Sequence, residues 1–208
     1  MCNSKSLLQK KGFLVILSSP SGGGKTTIYK ALLERNPDFT YSVSHTTRKK
    51  RSIETDGVDY RFVTVGEFDK LRTKSAFVEW ANVHGNIYGT TRKTIEESLT
   101  SDRITIFDLD VQGAAKIKSD FGDRAVMIFI LPPSYEELQE RLCSRHTDTK
   151  ADVELRLKNA LSEFDRIREY DYVVINDDIE RSIVDIEKII HSESLRLDRI
   201  EDIYWKGQ

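Results

Sequence analysis

An apolar run at residues 13–17, Phe-Leu-Val-Ile-Leu, leads across one serine into Ser19-Pro20-Ser21-Gly22-Gly23-Gly24-Lys25-Thr26, and helical periodicity through Ile28 and Leu32 follows directly. A strand buried on both faces is apolar throughout instead of alternating, so this run belongs inside a parallel sheet. The glycines let backbone N–H groups converge on an anion without Cβ atoms in the way, and the helix start adds partial positive charge. Lys25 then reaches the β- and γ-phosphates of a nucleoside triphosphate, and the Thr26 hydroxyl stands where Mg²⁺ is ligated. The strict pattern has Gly six residues before the lysine, where this chain has Ser19. A glycine-rich turn with a chance Lys-Thr is the bland alternative, but it does not explain why strand, glycines, lysine, hydroxyl and helix come in this order.

Similar apolar runs recur at 104–107, 126–131 and 172–175. Between and after them, Leu138 and Leu142, then Val153, Leu157, Leu161 and Phe164, then Ile179, Ile183, Ile186 and Ile190 repeat at helical spacing. The alternation predicts an α/β fold of the P-loop NTPase type, a parallel sheet flanked by helices. With 208 residues the chain fits a single domain. The core is expected over about 12–40, 101–143 and 170–208. Residues 41–100 break the rhythm: Tyr60-Arg61-Phe62-Val63 and Phe77-Val78-Glu79-Trp80 alternate like a half-exposed antiparallel sheet, and Thr64-Val65-Gly66-Glu67 has the spacing of a helix-opening capping box. This region reads as a small α+β insertion.

Charge and cysteine content narrow the setting. Lys plus Arg, 32, nearly cancels Asp plus Glu, 34, so no net field draws nucleic acid or a membrane surface. Cys2 and Cys143 offer neither a disulfide framework nor a zinc ligand set, and a cytoplasmic setting is expected. The longest apolar stretch, 126–133, is far too short for a membrane span.

A phosphate loop leaves the acceptor open, and the insertion speaks to it. Arg48 and Arg51 offer planar forks suited to a dianionic phosphate, with Tyr60 and Tyr88 as further hydroxyl donors. Read alone, the same arginines with Lys49 and Lys50 equally make a solvated basic stretch. Asp108 and Asp110 follow a buried strand at the carboxyl edge of the sheet, where open α/β folds bind ligands; Asp110 equally suits a helix N-cap.

The chain resembles the guanylate kinase family along nearly its whole length. The likeness is carried by the phosphate loop, Ser44-His45-Thr46-Thr47-Arg48-x-x-Arg51, Tyr60-x-Phe62, Phe77-x-Glu79, Gly85-Asn86-x-Tyr88-Gly89-Thr90, Asp108-x-Asp110-x-Gln112-Gly113, Pro132-Pro133-Ser134 and Asn176-Asp177-Asp178, in family order. The resemblance implies γ-phosphoryl transfer from ATP to GMP with Mg²⁺, dGMP being a candidate acceptor and a homo-oligomer left open. It implies that residues 19–27, through Thr27, hold ATP together with Asn176, and that Thr26, with Asp108 acting through water, serves the metal. Arg48, Arg51, Tyr60 and Tyr88 would hold the GMP phosphate, while Ser44, Glu79 and Thr90 read guanine and Asp110 lies on the acceptor side. The base chemistry agrees, since a carboxylate matches the N1–H and 2-amino donors of guanine and finds no such pair on adenine.

The resemblance also implies a short lid at about 144–158, in which Arg145 and Arg156 reach over the ATP phosphates; Lys25, Arg51, Arg145 and Arg156 are the expected catalytic cations. A reading of these arginines as surface ion-pair partners stands beside it. The chain departs from the family pattern at His146 and at Ser52-Ile53, positions that bear on lid and loop stiffness and remove no ligand. A non-catalytic module of the same family, binding peptides in the insertion, is disfavoured by the intact Lys25, Thr26, Arg145 and Arg156.

Overall fold

The computed structural model describes residues 8–83, 85–144 and 150–204. In chain order the elements are β1 (Leu8–Lys10), β2 (Leu14–Ser18), α1 (Lys25–Arg35), β3 (Thr40–Tyr41), β4 (His45–Thr46), β5 (Arg61–Phe62), α2 (Val65–Thr73), β6 (Phe77–Val83), β7 (Asn86–Thr91) and α3 (Arg92–Thr100). They continue with β8 (Thr105–Asp108), α4 (Val111–Phe121), β9 (Ala125–Leu131), α5 (Tyr135–Cys143), α6 (Lys150–Phe164), β10 (Tyr172–Ile175), α7 (Ile179–Glu193) and β11 (Ile200–Ile203).

The apolar runs assemble as expected into an all-parallel sheet of order β10-β9-β2-β8-β3. Alternate residues of β2 serve opposite layers. Val15 and Leu17 pack with Ile28 and Leu32 of α1 and Ile183, Ile186 and Ile190 of α7. Leu14 and Ile16 pack with Phe107, Met127, Ile95 of α3 and Ile117 of α4. Both faces of β2 are therefore dry, which explains its unbroken apolar sequence; each such side chain contributes about 1.5–3 kcal/mol by leaving water.

β2 is also where the strand order reverses, and Leu17 pairs with Asp108 while Ser18 pairs with Phe129. The carboxyl ends of β2 and β8 are thereby neighbours, so the loop after one lies beside the acid ending the other, the position where open α/β sheets form their ligand crevice.

Two expectations about burial need correction. The edge strand β10 is covered only on the α7 side: Val174 is buried, but Val173 and Ile175 are exposed, because among the described residues no element packs on the outer face at the sheet margin. On α6, Leu157 joins Leu138 and Leu142 of α5 in a small core, whereas Leu161 and Phe164 are exposed despite their helical spacing.

The insertion is a four-stranded sheet, β5-β4-β7-β6, with α2 and the complete capping box between Thr64 and Glu67. It is mixed where an antiparallel sheet is expected: β4 and β6 run antiparallel to β7, but β5 pairs with β4 in parallel. The long loop between β4 and β5 permits that return, and the alternation of Tyr60 to Val63 carries no information on direction. Among the described residues no helix is long and apolar enough to cross a membrane.

Candidate active site

The loop after β2 is built to leave a helix terminus open. Side chains of Thr64, Thr91, Asp110, Ser134 and Asp178 cap α2, α3, α4, α5 and α7, but α1 begins at Gly24 with no side-chain cap. Its first N–H groups are thus unclaimed by a capping oxygen, the condition under which a helix start binds an anion. Gly24 adopts φ 91°, and a Cβ there would come 2.3 Å from Asn176 Nδ2. Asn176 is buried and donates from Nδ2 to the Gly23 carbonyl at 2.8 Å, so it supports the loop from beneath. Asn176→Ala is expected to lower stability by about 1–3 kcal/mol, because it strands the Gly23 carbonyl; a thermal melt reads this directly.

Lys25 is the first residue of α1. Its Nζ lies 2.5 Å from Asp108 Oδ1 and 3.1 Å from the Leu109 carbonyl, in a pair whose side chains are only 17% and 15% exposed. The loop lysine and the acid after β8 thus meet, while Thr26 and Thr27 are exposed on the first turn. Arg156 of α6 reaches the opposite side of the loop, Nη1 standing 3.5 Å from Ser21 Oγ. Arg145 and His146 lie outside the described residues, as does most of the segment joining α5 to α6.

Lys25 and Asp108 share a cleft of about 250 Å³ with Ser44, Tyr60, Glu79, Tyr88 and Asp110. Glu79 is 8% exposed on β6, opposite Thr90 of β7. Burial raises its pKa to about 7, hydrogen bonds from Thr90 oppose that, and Asp110 reinforces it. The Thr90 hydroxyl lies 3.2 Å from Ser44 Oγ, which links these three residues into one polar wall. Gly113 explains the Asp-x-Gln-Gly run: a Cβ there would stand 2.9 Å from Glu79 Oε2. Asp110 is the α4 cap, its carboxylate accepting from the Gly113 N–H at 2.7 Å, and it also lines the cleft.

Arg48 and Arg51 are not brought together. Arg48 gives its fork to Glu54, at 2.6 and 3.1 Å, donates from Nε to the Tyr88 hydroxyl at 3.2 Å, and lies over the Tyr60 ring. This contact holds the Glu54 carboxyl below its ordinary range. Arg51 is exposed and contributes its backbone N–H to Glu54 Oε2. Tyr60 is half-buried, and desolvation pushes its phenol pKa up and keeps it a hydroxyl donor. The Thr47 hydroxyl accepts from the Ile87 N–H, tying the arginine loop to β7, so part of the Ser44 to Arg51 motif is structural. His45 is half-buried edge-on to Phe77, and burial lowers its pKa.

Sequence reasoning alone misses two features: Glu54 as the anchor of Arg48, and Glu163 of α6, whose Oε2 is shielded from solvent without a hydrogen-bond partner. The Arg48–Glu54 spacing across a turn carries a signal, whereas Glu163 reads as one acid on a charged helix.

Comparison with known proteins completes the picture. The guanylate kinase family model matches residues 11–193. The guanylate kinase of Mesorhizobium japonicum is 46% identical over 194 residues, covering 93% of this chain and 89% of its own. That of Brucella melitensis is 47% identical over 191 residues, covering 91% and 87%. The crystal structure of guanylate kinase from Anaplasma phagocytophilum superposes with a TM-score of 0.79 at 36% identity, covering 94% of this chain and 93% of that one. A family match spanning the phosphate loop, the inserted sheet and the Asn176 support means that this chain belongs to the guanylate kinase family.

Proposed function

We propose that this chain transfers the γ-phosphoryl group of ATP to GMP, giving ADP and GDP, in purine nucleotide metabolism. The observation that carries this reading is the shared cleft, in which Lys25 of the phosphate loop and the Glu79–Ser44 wall of the insertion face one space. In-line transfer demands alignment of donor and acceptor and neutralisation of the moving charge. Residues 19–27 hold the triphosphate, Lys25 and Arg156 supply positive charge beside it, and the family resemblance gives Arg145 the same task. Tyr60, Tyr88, Arg48 and Arg51 hold the acceptor phosphate, and Ser44, Glu79, Thr90 and Asp110 hold the base. No general base is required, because a phosphate monoester oxygen is already anionic near pH 7.

The Thr26 hydroxyl and the Asp108 carboxylate are both hard oxygen donors beside the loop, a set that fits Mg²⁺, an ion that keeps several waters and takes its other ligands from phosphate. When bound with ATP, the metal would offset charge on the β- and γ-phosphates. The purified protein with Mg²⁺ and ATP is expected to release ADP on addition of GMP and not of AMP, UMP or CMP. An enzyme-coupled ADP assay showing no GMP-dependent release sinks the proposal.

A further inference from the structure

A second cavity, about 260 Å³, separates the inserted sheet from the start of α4 and from α6. Asp110 and Gln112 line it at α4 and Glu163 lines it from α6, while Asn82 of β6 is the one lining residue that the insertion contributes. Glu163 Oε2 is shielded from solvent and has no hydrogen-bond partner, an arrangement that native proteins rarely leave uncompensated. Burial raises its pKa to about 7, with Lys25 opposing the rise and Asp110 reinforcing it. The carboxyl group is an acceptor held where solvent does not satisfy it.

Asn82 carries the matching donor. The Gly85 N–H donates to Asn82 Oδ1 at 3.0 Å, which fixes the orientation of the amide and leaves Nδ2 as its available donor. The other polar groups of the lining are placed differently. Asn159 and Ser162 ride on the same helix as Glu163, Gln112 belongs to the core, and Arg156 is turned toward Ser21 at 3.5 Å. These groups keep their distances from Glu163 when the insertion shifts toward α6, and only Asn82 draws nearer. Folded chains pack densely, so a polar gap with an acceptor on one wall and a donor on the other is removed by bringing the walls together.

We propose that Asn82 and Glu163 are positioning residues that clasp across this cavity during turnover, Asn82 Nδ2 donating to Glu163 Oε2. The inference rests on the GMP kinase reading above. Asn82 shares β6 with Glu79, and Glu163 shares α6 with Arg156, so one hydrogen bond registers the base wall of the insertion against a cation beside the phosphate loop. Closing the gap also removes water from the space next to Ser21, where it would compete for the transferred group. Neither side chain touches substrate; both act through the residues that share their elements.

Turnover and melting temperature, measured on the same variants, test the clasp. Glu163→Ala removes an orphaned acceptor from a helical position that alanine suits, so its melting temperature is expected to hold or rise. Its kcat at saturating ATP and GMP is expected to fall by about tenfold, the worth of one hydrogen bond to a charged group. Asn82→Asp keeps the acceptor for the Gly85 N–H but replaces the donor by a second carboxylate, and the same fall is expected. Adding Glu163→Gln to Asn82→Asp exchanges donor and acceptor, so the new amide donates to the new carboxylate and kcat returns to within roughly threefold of the unmodified value. A double variant no faster than Asn82→Asp alone overturns the clasp. A Glu163→Ala enzyme of unchanged kcat overturns it too, and one whose melting temperature falls in step with its activity assigns Glu163 to folding and overturns it equally. Absence of GMP-dependent ADP release by the unmodified protein removes the kinase reading itself, and the clasp with it.

Discussion

Lys25→Ala is expected to lower kcat by about 10³-fold at saturating ATP and GMP, an effect of about 4 kcal/mol on the transfer barrier. Lys25 stands on the first turn of α1, against Asp108 and in the cleft that also holds Glu79 and Ser44. No other cation lines that cleft among the described residues. Truncating it removes charge where the transferred group passes, but it also leaves Asp108 without its counter-ion in a partly buried place, which by itself disturbs a site. A double variant separates the two. If orphaned Asp108 caused the defect, adding Asp108→Asn would restore turnover; we expect no recovery, because the missing positive charge is the cause. A Lys25→Ala enzyme within tenfold of the unmodified rate, or one rescued by Asp108→Asn, would refute the role given to this lysine.

The legibility of this chain in its sequence follows the range of the forces involved. The strand, glycine loop and helix at 13–32 are readable because every determinant is local: burial on both faces, absent Cβ atoms, and helical spacing. The capping box at Thr64 and Glu67 is equally local. The two- and three-residue strands β1, β3 and β4 are not readable, since segments so short hold no period. The exposure of Val173 and Ile175 is hidden for another reason: an apolar run looks the same at the centre of a sheet and at its margin, and only topology decides how many layers cover it. Leu161 and Phe164 show the same limit on a helix, where period identifies a stripe but not whether a partner exists.

The site divides along the same line. Ser44, Glu79, Tyr60, Tyr88, Asp108 and Asp110 are legible through their motifs, and one cleft gathers them. The use of Arg48 is not, because its fork is claimed by Glu54 across a turn instead of standing open. Gly113 reverses the direction of inference. In sequence it is a motif letter, and the structure supplies its reason, the close approach of Glu79 Oε2.

Glu79→Gln is expected to reduce kcat/KM for GMP by roughly 10³-fold with little change in KM for ATP, because an amide turns a donor toward one of the two donors on guanine. Its pH behaviour gives a sharper signature. Burial raises the folded-state pKa to about 7 from an ordinary value of 4.5, so the carboxylate that guanine selects forms only as pH rises through that range. The KM for GMP is therefore expected to increase by roughly fivefold between pH 7 and pH 6 in the unmodified protein. The acceptor phosphate titrates near pH 6 as well, but it does so identically with the Gln variant, and the difference between the two profiles isolates Glu79. Stability moves in the opposite sense. An acid whose pKa is raised by folding destabilises the native state progressively as pH rises from 4.5 through about 7, here by roughly 3 kcal/mol when fully ionised. Glu79→Gln lacks that penalty, so it should melt above the unmodified protein at pH 8, with the gap closing by pH 5. Parallel GMP profiles for the two proteins, or equal melting temperatures at pH 8, would show that this carboxyl group is neither buried as described nor in contact with the base.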